Sequence, residues 1–322
     1  MITWGMVGNS HDASLAVFRD KELLWAALAK DFSGVPNDPH LNKGMINYAF
    51  LHWGGPSQAI WYERPFLKTL RQWRAGQGWL WKENNIRRYL ENHIGYQLPI
   101  KYTQHHHSHA AYAYYTQPHD DCAVICLDSI GEFETLTIWH GKNNKLTKIY
   151  SQGYPHSLGL FYSGMTQRMG LTPQRDEYLV SQWAKQGDSQ RLSHLIRTEL
   201  IDVDHKYKSK NLIRMRENLH RGCMWWRPEL NTQQDMYDIA AATQAIFVYA
   251  VNVLSIWAKV QTDSPNLALA GGGALNREAV ESIKPQWNEV WVPKNPGDPG
   301  SCIGGVLAKS QQKIDIANKW FR

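Results

Sequence analysis

The N-terminal segment alternates short apolar runs with polar turns. "ITWGMVG", "ASLAVF" and "LLWAALA" are separated by turn signals and predict three strands joined as a meander. "LNKGMINYAFLHW" has a helical pattern, and "QAIWYE" predicts a short buried strand. Positions 65–94 are mostly helical in pattern, with "KENNIRRYLENHI" the clearest amphipathic piece. A strand at "IKYT" then delivers the chain to "QHHHSHAAYAYY". Beyond it, "DCAVICLD", "ETLTIWH" and "KLTKIYS" predict a second set of three strands. Helices are expected at "LGLFYSGMTQRM" and "MYDIAAATQAIFVYAVNVLSIWAKV". "NLALAGGGALN", "EVWVP" and "GDPGSCIGGVLAK" read as a βαβ-like ending, and 204–229 is the most irregular and most basic stretch.

The two strand sets resemble one another. Each carries a polar, Gly-bearing loop at one strand end, "GNSHD" in the first and "LDSIGE" in the second. Such a weak repeat is expected of two similar lobes with a ligand between them. A chain of 322 residues has room for two packed lobes, and 43% hydrophobic with 20% charged residues excludes a disordered chain. No apolar run approaches the roughly 20 residues needed to span a bilayer, so no membrane partner is expected. Met1 leads straight into a strand, so no secretory signal is expected either. Cys122, Cys126, Cys223 and Cys302 show no CxxC spacing, which argues against a disulfide framework or zinc ribbon and makes the cytoplasm the expected location. Fifteen Trp suggest aromatic-lined surfaces, and a net charge of +6 is compatible with a polyanionic partner.

The histidine cluster raises the chemical question. His105 and His109 are four apart, so on a helix they share a face and could share a metal ion. A His-rich helix start also serves as a solvated basic patch. Asp128, at a strand end before "SIGE", and Asp298, in "NPGDPGS" before a helix, are carboxylates of the right type to complete a site. Either is equally at home as an N-cap or turn residue.

Taken together, the motifs form a set. "QHHHSHAAYAYY" resembles the "EHHLSHAASAFY" motif of the O-carbamoyltransferases that act on antibiotics and nodulation factors. "GNSHDASLAVFRD", "AIWYERPFLK", "LDSIGEFETLTIW", "YPHSLGLFYS", "DIAAATQ", "LALAGGGALN" and "GDPGSCIGG" follow in the family's order and cover essentially the whole chain. The resemblance implies an α/β, two-lobed actin/Hsp70/sugar-kinase-like (ASKHA) fold, here divided into lobes 1–120 and 121–322, with a nucleotide in the cleft. It implies a divalent metal, usually Fe2+ with Zn2+ or Mn2+ as alternatives, held by His105, His109, Asp128 and Asp298. His106 would be a neighbour and His107 an extra. ATP or carbamoyl-adenylate, with Mg2+ as a possible companion, would lie against Gly271, Gly272, Gly273, Asn276, Gly131 and Glu132. His11 would be the general base on an acceptor hydroxyl, with Asp12 orienting it or binding a substrate group.

The chain also departs from the family. The charged stretch "EEERFSRIKH" is here "ALAKDFSGVPNDPH", and "GEYKVMGLAPYG" is here "RDEYLVSQWAKQGD"; only Phe32–Ser33 and Glu177–Tyr178 match. Relatives continue into a domain resembling those that make an acyl-adenylate from carbamoyl phosphate and ATP, so a separate adenylate-forming protein is an expected partner. The implied activity is O-carbamoyl transfer from carbamoyl phosphate through carbamoyl-adenylate. Threonylcarbamoyl transfer to tRNA and a non-catalytic nucleotide-binding scaffold are the alternatives. For the acceptor, "RQWRAGQGWLWKENNIRR" and "KYKSKNLIRMRENLHRGCMWWRP" interleave cations with Trp, a mixture suited to phosphates and stacked bases. Trp225, Trp226 and Arg227 are the expected contacts, and a 5-hydroxymethyl pyrimidine in DNA or a nucleotide is the leading acceptor. An antibiotic or oligosaccharide hydroxyl is the other.

Overall fold

The computed structural model describes residues 1–321. The N-terminal meander forms β1 (Ile2–Val7), β2 (Ser14–Arg19) and β3 (Glu22–Leu28). Two helices, α1 (Lys30–Ser33) and α2 (Lys43–Trp53), lead to β4 (Gln58–Trp61). Then come α3 (Pro65–Arg74), α4 (Ile86–Ile94), β5 (Ile100–Tyr102) and α5 (His105–Tyr115). The second set of strands is β6 (Asp121–Gly131), β7 (Glu134–Lys142) and β8 (Lys145–Gly153). Helices α6 (Leu158–Arg168), α7 (Glu177–Trp183) and α8 (Ser189–Glu199) follow. A small ribbon of β9 (Ile201–Val203) and β10 (Ile213–Met215) precedes α9 (Gln233–Thr262). The chain closes with β11 (Asn266–Ala270), α10 (Arg277–Ile283), β12 (Glu289–Trp291) and α11 (Ser301–Ser310).

The repeat seen in the sequence is a repeat of topology. The first sheet has the order β3-β2-β1-β4-β5, and the second β12-β11-β6-β7-β8, the same order read from the other edge. In each, three antiparallel strands are followed by two that pair in parallel. This duplicated mixed sheet is the ASKHA arrangement. Each lobe has its own hydrophobic cluster, built in part on Trp4, Phe18 and Trp61 in the first and Ile138, Phe161 and Phe247 in the second.

Two helices lie between the sheets. Helix α5 packs on β6, β7 and β11 with one side and on α11 with the other, while α11 packs on β1, β2 and β4. The lobe division expected at residue 120 is therefore modified: α11 returns to the first lobe. The tail after it follows, since the backbone N–H of Ala26 donates to Lys319 and that of Phe321 to Ala26. The membrane reading also needs correcting. By length and composition α9 is apolar enough to span a bilayer, although most of its apolar stretch is buried in the second lobe. A search for unbroken apolar runs overlooked it because Gln, Asn, Ser and Thr interrupt the pattern without charging it.

Candidate metal centre and active site

Helix α5 starts at His105, so His105 and His109 project one turn apart from its N-terminal end. Asp128 comes from β6, and Asp298 opens the 3-10 turn before α11. One ligand atom from each of the four residues lies within 4.8 Å of all the others. His105 Nε2 is 3.0 Å from Asp128 Oδ2 and 3.2 Å from Asp298 Oδ1. His109 Nε2 is 3.0 Å from His105 Nε2, 3.4 Å from Asp298 Oδ1 and 3.9 Å from Asp128 Oδ2. Donors about 2.1 Å from a common divalent ion are themselves about 3.0–3.4 Å apart, so the spacing fits one ion. The chemistry of the set fits as well. Two imidazole nitrogens facing each other, beside two carboxylates and away from water, need a shared cation. Without a metal, that cation is a proton. Burial alone would lower the His105 imidazole, but Asp298, Asp128 and Glu63 outweigh it and hold it well above its ordinary value. Burial would raise both aspartates, and the histidines instead hold them below theirs.

A supporting layer aims the ligands. Glu63 Oε2 stands 3.7 Å from His105 Nδ1, an electrostatic neighbour beyond hydrogen-bond reach, and Glu63 Oε1 is paired with Lys68 at 2.6 Å. Ser301 Oγ is 3.3 Å from His109 Nδ1. Such partners fix the tautomer and orientation of ligating imidazoles. Gly131 packs flat against His105: a Cβ there would lie 2.2 Å from His105 Cδ2. The other two histidines of the cluster point elsewhere. His106 Nδ1 meets Thr137 Oγ1 at 3.0 Å, and burial lowers its pKa to about 3. His107 stacks on Trp139, and burial lowers it to about 4. Both are packed neutral groups, outside the ligand set.

The loop between β1 and β2 closes over this cluster. Ser10 Oγ donates to Asp298 Oδ2 at 2.8 Å, and His11, half-buried, acts on the same carboxylate through space. His11 lines a cavity with Ser10, Lys68 and His40. Asp12 takes a left-handed conformation (φ 56°), and its Oδ1 is buried without a hydrogen-bond partner. A buried, unsatisfied carboxylate oxygen at such a site is available to a substrate donor.

The residues expected at the nucleotide divide. Gly271 is left-handed (φ 84°) and approaches the Leu127 carbonyl so closely that a Cβ would lie 2.1 Å from its oxygen. This brings the loop beside Asp128, and a Cβ on Gly272 would meet only Asp128 Oδ1, at 3.7 Å. Asn276 is occupied: its Oδ1 caps α10, and its side chain pairs with Gln244. Glu132 is occupied too. It accepts from the Arg64 backbone N–H at 2.7 Å and from the guanidinium at 2.9 Å, latching β6 to the start of α3.

The acceptor trio divides as well. Trp226 is 2% exposed, its Nε1 donating to Glu199, and Arg227 is ion-paired with the same Glu199. These two hold the second lobe together and leave the acceptor surface to Trp225, which is 57% exposed. Trp beside Arg in sequence does not say which ring faces inward. Glu63, Ser10, Ser301 and Arg64 were not singled out from sequence, although "ERPFLK" contains two of them, and Glu132 was expected at the nucleotide rather than on Arg64.

The family model described as carbamoyltransferase N-terminus matches residues 62–307, most of the chain. The chain belongs to this family. It is 26% identical to the protein sll1178 of Synechocystis sp. over 96% of its length and 57% of that protein's. It is 24% identical to MJ1051 of Methanocaldococcus jannaschii over 97% of its length and 58% of that protein's. The nodulation protein NolO of Bradyrhizobium diazoefficiens is 26% identical over 65% of this chain and 38% of NolO. The chain thus spans under two thirds of the length of these relatives. Among solved structures, HypF of T. kodakarensis is similar at TM-score 0.49 and 14% identity, over 96% of this chain and 48% of HypF. The ADPNP-bound activator of 2-hydroxyisocaproyl-CoA dehydratase from Clostridium difficile is similar at TM-score 0.46 and 11% identity, over 97% of this chain and 96% of the activator. The duplicated sheet order, rather than these likenesses, carries the fold.

Proposed function

We propose that this chain carries the transfer step of a metal- and ATP-dependent O-carbamoyltransferase. Carbamoyl-adenylate, made from carbamoyl phosphate and ATP, binds in the cleft and gives its carbamoyl group to an acceptor hydroxyl. The observation that supports this best is the Ser10–Asp298 bond, which ties the loop bearing His11 to a metal-ligand candidate. In the step, the acceptor oxygen attacks the carbamoyl carbon and forms the new C–O bond. The bond from that carbon to the phosphate oxygen breaks, and AMP leaves with its electron pair. The hydroxyl proton goes to His11, help worth about 10²–10⁴ in rate. His105, His109, Asp128 and Asp298 would hold a divalent ion, iron by preference, which would supply positive charge to an anionic substrate. The loop at Gly271–Gly273 gives the adenylate backbone contacts, and the free Oδ1 of Asp12 takes a substrate donor.

For the acceptor we infer the 5-hydroxymethyl group of a pyrimidine in DNA or a nucleotide. Trp225 stands exposed in a basic stretch of the chain, which suits a stacked base beside phosphate. A sugar or antibiotic hydroxyl is the second reading, since an exposed indole serves a sugar face too. The test supplies the iron-loaded chain with preformed carbamoyl-adenylate and a panel of hydroxymethylated oligonucleotide, hydroxymethyl nucleotide, aminoglycoside and oligosaccharide. Mass spectrometry should find a carbamoyl increment on the hydroxymethyl pyrimidine that disappears with His11→Ala. Release of AMP with every acceptor unchanged would rule out the transfer reading.

A further inference from the structure

Arg71 lies on α3 with its Nε buried and without a hydrogen-bond partner, and its one side-chain hydrogen bond among the described residues runs from Nη1 to Gln77 Oε1 at 3.0 Å. Its nearest carboxylate by electrostatic influence is Glu63, already engaged by Lys68 and His105. Arg221 of the second lobe reaches across to the first, its Nη2 donating to the Gly76 carbonyl at 3.4 Å. Neither guanidinium forms an ion pair among the described residues. His220 sits with them, held below its ordinary value by burial first and then by Arg71 and Arg221. Tyr154 stands edge-on to His220 at 5.6 Å, and its oxygen accepts from Asn218 Nδ2 at 2.6 Å, leaving its own O–H without an acceptor. A half-buried guanidinium, a second guanidinium, an imidazole and a free phenol thus face one place without an anion. Arg221 is exposed, but the buried Nε of Arg71 is of a kind normally paired, and without a partner beside a second cation it marks a place where a ligand supplies the charge.

The surroundings indicate what that ligand is. Residues 64–82 contain five cations and no carboxylate: Arg64, Lys68, Arg71, Arg74 and Lys82. Trp73, Trp79, Trp81 and Trp225 are the four most exposed indoles of the described residues. Three lie in the segment that carries Arg71, and the fourth lies four residues after Arg221. Exposed indoles in the same two segments as the unpaired arginines suit a phosphodiester flanked by bases more than an isolated phosphate, which needs no rings. We propose that Arg71, His220, Arg221 and Tyr154 form an interlobe site for a backbone phosphate of a single-stranded nucleic-acid acceptor, with Trp73, Trp79, Trp81 and Trp225 as stacking platforms. This rests on the nucleic-acid reading of the acceptor given above. Because one wall belongs to each lobe, the bound phosphate also joins the lobes.

The experiment measures binding of a hydroxymethylated single-stranded oligonucleotide and, separately, of carbamoyl phosphate and inorganic phosphate. The wild type is compared with Arg71→Met, Arg71→Lys, Arg221→Met and Trp225→Ala over a range of salt. Arg71→Met and Arg221→Met should each weaken the oligonucleotide about tenfold and lower the salt slope by about 0.7 for each phosphate no longer neutralised. Trp225→Ala should weaken binding about 5- to 100-fold with the slope unchanged. Arg71→Lys should retain the slope, and carbamoyl phosphate should bind all variants equally. Removing an unpaired buried charge should leave the Tm of Arg71→Met equal to or above the wild-type value, whereas a purely structural arginine would lower it and overturn the site. If carbamoyl phosphate or inorganic phosphate no longer binds instead, the anion belongs to the donor and the acceptor assignment falls. If the wild type binds the oligonucleotide and both Met variants bind it equally with an unchanged slope, the site is wrong while the acceptor reading stands. A wild type that ignores the oligonucleotide at low salt overturns both.

Discussion

Asp298→Asn tests the metal centre with little steric change. Asparagine keeps the shape of the side chain and an oxygen for Ser10 to donate to, but it removes the anionic donor that faces both His105 and His109. Four-ligand sites for a divalent ion release about 10–16 kcal/mol on binding. Shared equally, that is about 2.5–4 kcal/mol per donor, so losing one should weaken binding about 10²- to 10³-fold. The metal-free protein should also change, because the carboxylate that most strongly holds the proton on His105 is gone. Competition with a chelator of known affinity reads the first effect, using iron under anaerobic conditions and zinc as a redox-inert check. Elemental analysis after dialysis should find about one ion per wild-type chain and almost none in the variant. The reasoning fails if the wild type takes up no ion from Fe2+, Mn2+ or Zn2+, or if the variant matches its affinity. In either case the cluster would be a buried ion-pair network and nothing more.

Three further outcomes follow from the same geometry. Without metal, His105 is raised above its ordinary 6.5, so its contribution to stability is full below that value and is lost as pH rises through the raised one; Asp128 and Asp298, depressed from 3.8, contribute above 3.8 and lose it as pH falls. The metal-free Tm should therefore peak between about pH 4 and 6.5 and decline on the alkaline side, whereas a saturating metal should remove that decline; scanning calorimetry across pH checks both. Gly131→Ala should push His105 off the ligand position and reduce metal stoichiometry while secondary structure by circular dichroism persists, since the three atoms nearest the added Cβ all belong to the ring. His11→Ala should lower kcat for transfer about 10²- to 10⁴-fold with metal content unchanged, and loss of metal in this variant would show that His11 belongs to the ligand set.

The sheets and the pairing of His105 with His109 were legible for physical reasons, whereas Asp128 and Asp298 joined them through the family resemblance. Buried strands on both lobes leave uninterrupted apolar runs such as "LAVF" and "CAVICL", and the i,i+4 spacing of His105 and His109 survives in any helix. What could not be read depends on contacts far apart in the chain. Arg64 meets Glu132 across 68 positions, Ser10 meets Asp298 across 288, and neither leaves a local pattern. Helices α7 and α8 were missed because the segment containing them is polar on most sides, with only Val180, Leu192 and Ile196 fully turned inward. Trp225 and Trp226 are neighbours of identical type with opposite fates, decided by Glu199, a partner 27 positions before Trp226.

The return of α11 and the tail to the first sheet bears on how the protein is made. β1, β2 and β3 leave the ribosome first, yet the helix that covers them is residues 301–310, and Trp320 and Phe321 belong to the same hydrophobic cluster. Until those residues emerge, Gly5, Ala16 and their neighbours have no cover on that face. The second lobe, whose core comes from a continuous stretch, can consolidate earlier. The first lobe is thus begun before the second and completed after it, and its early strands stay an unfinished surface for chaperones to hold until residues 301–321 have been made.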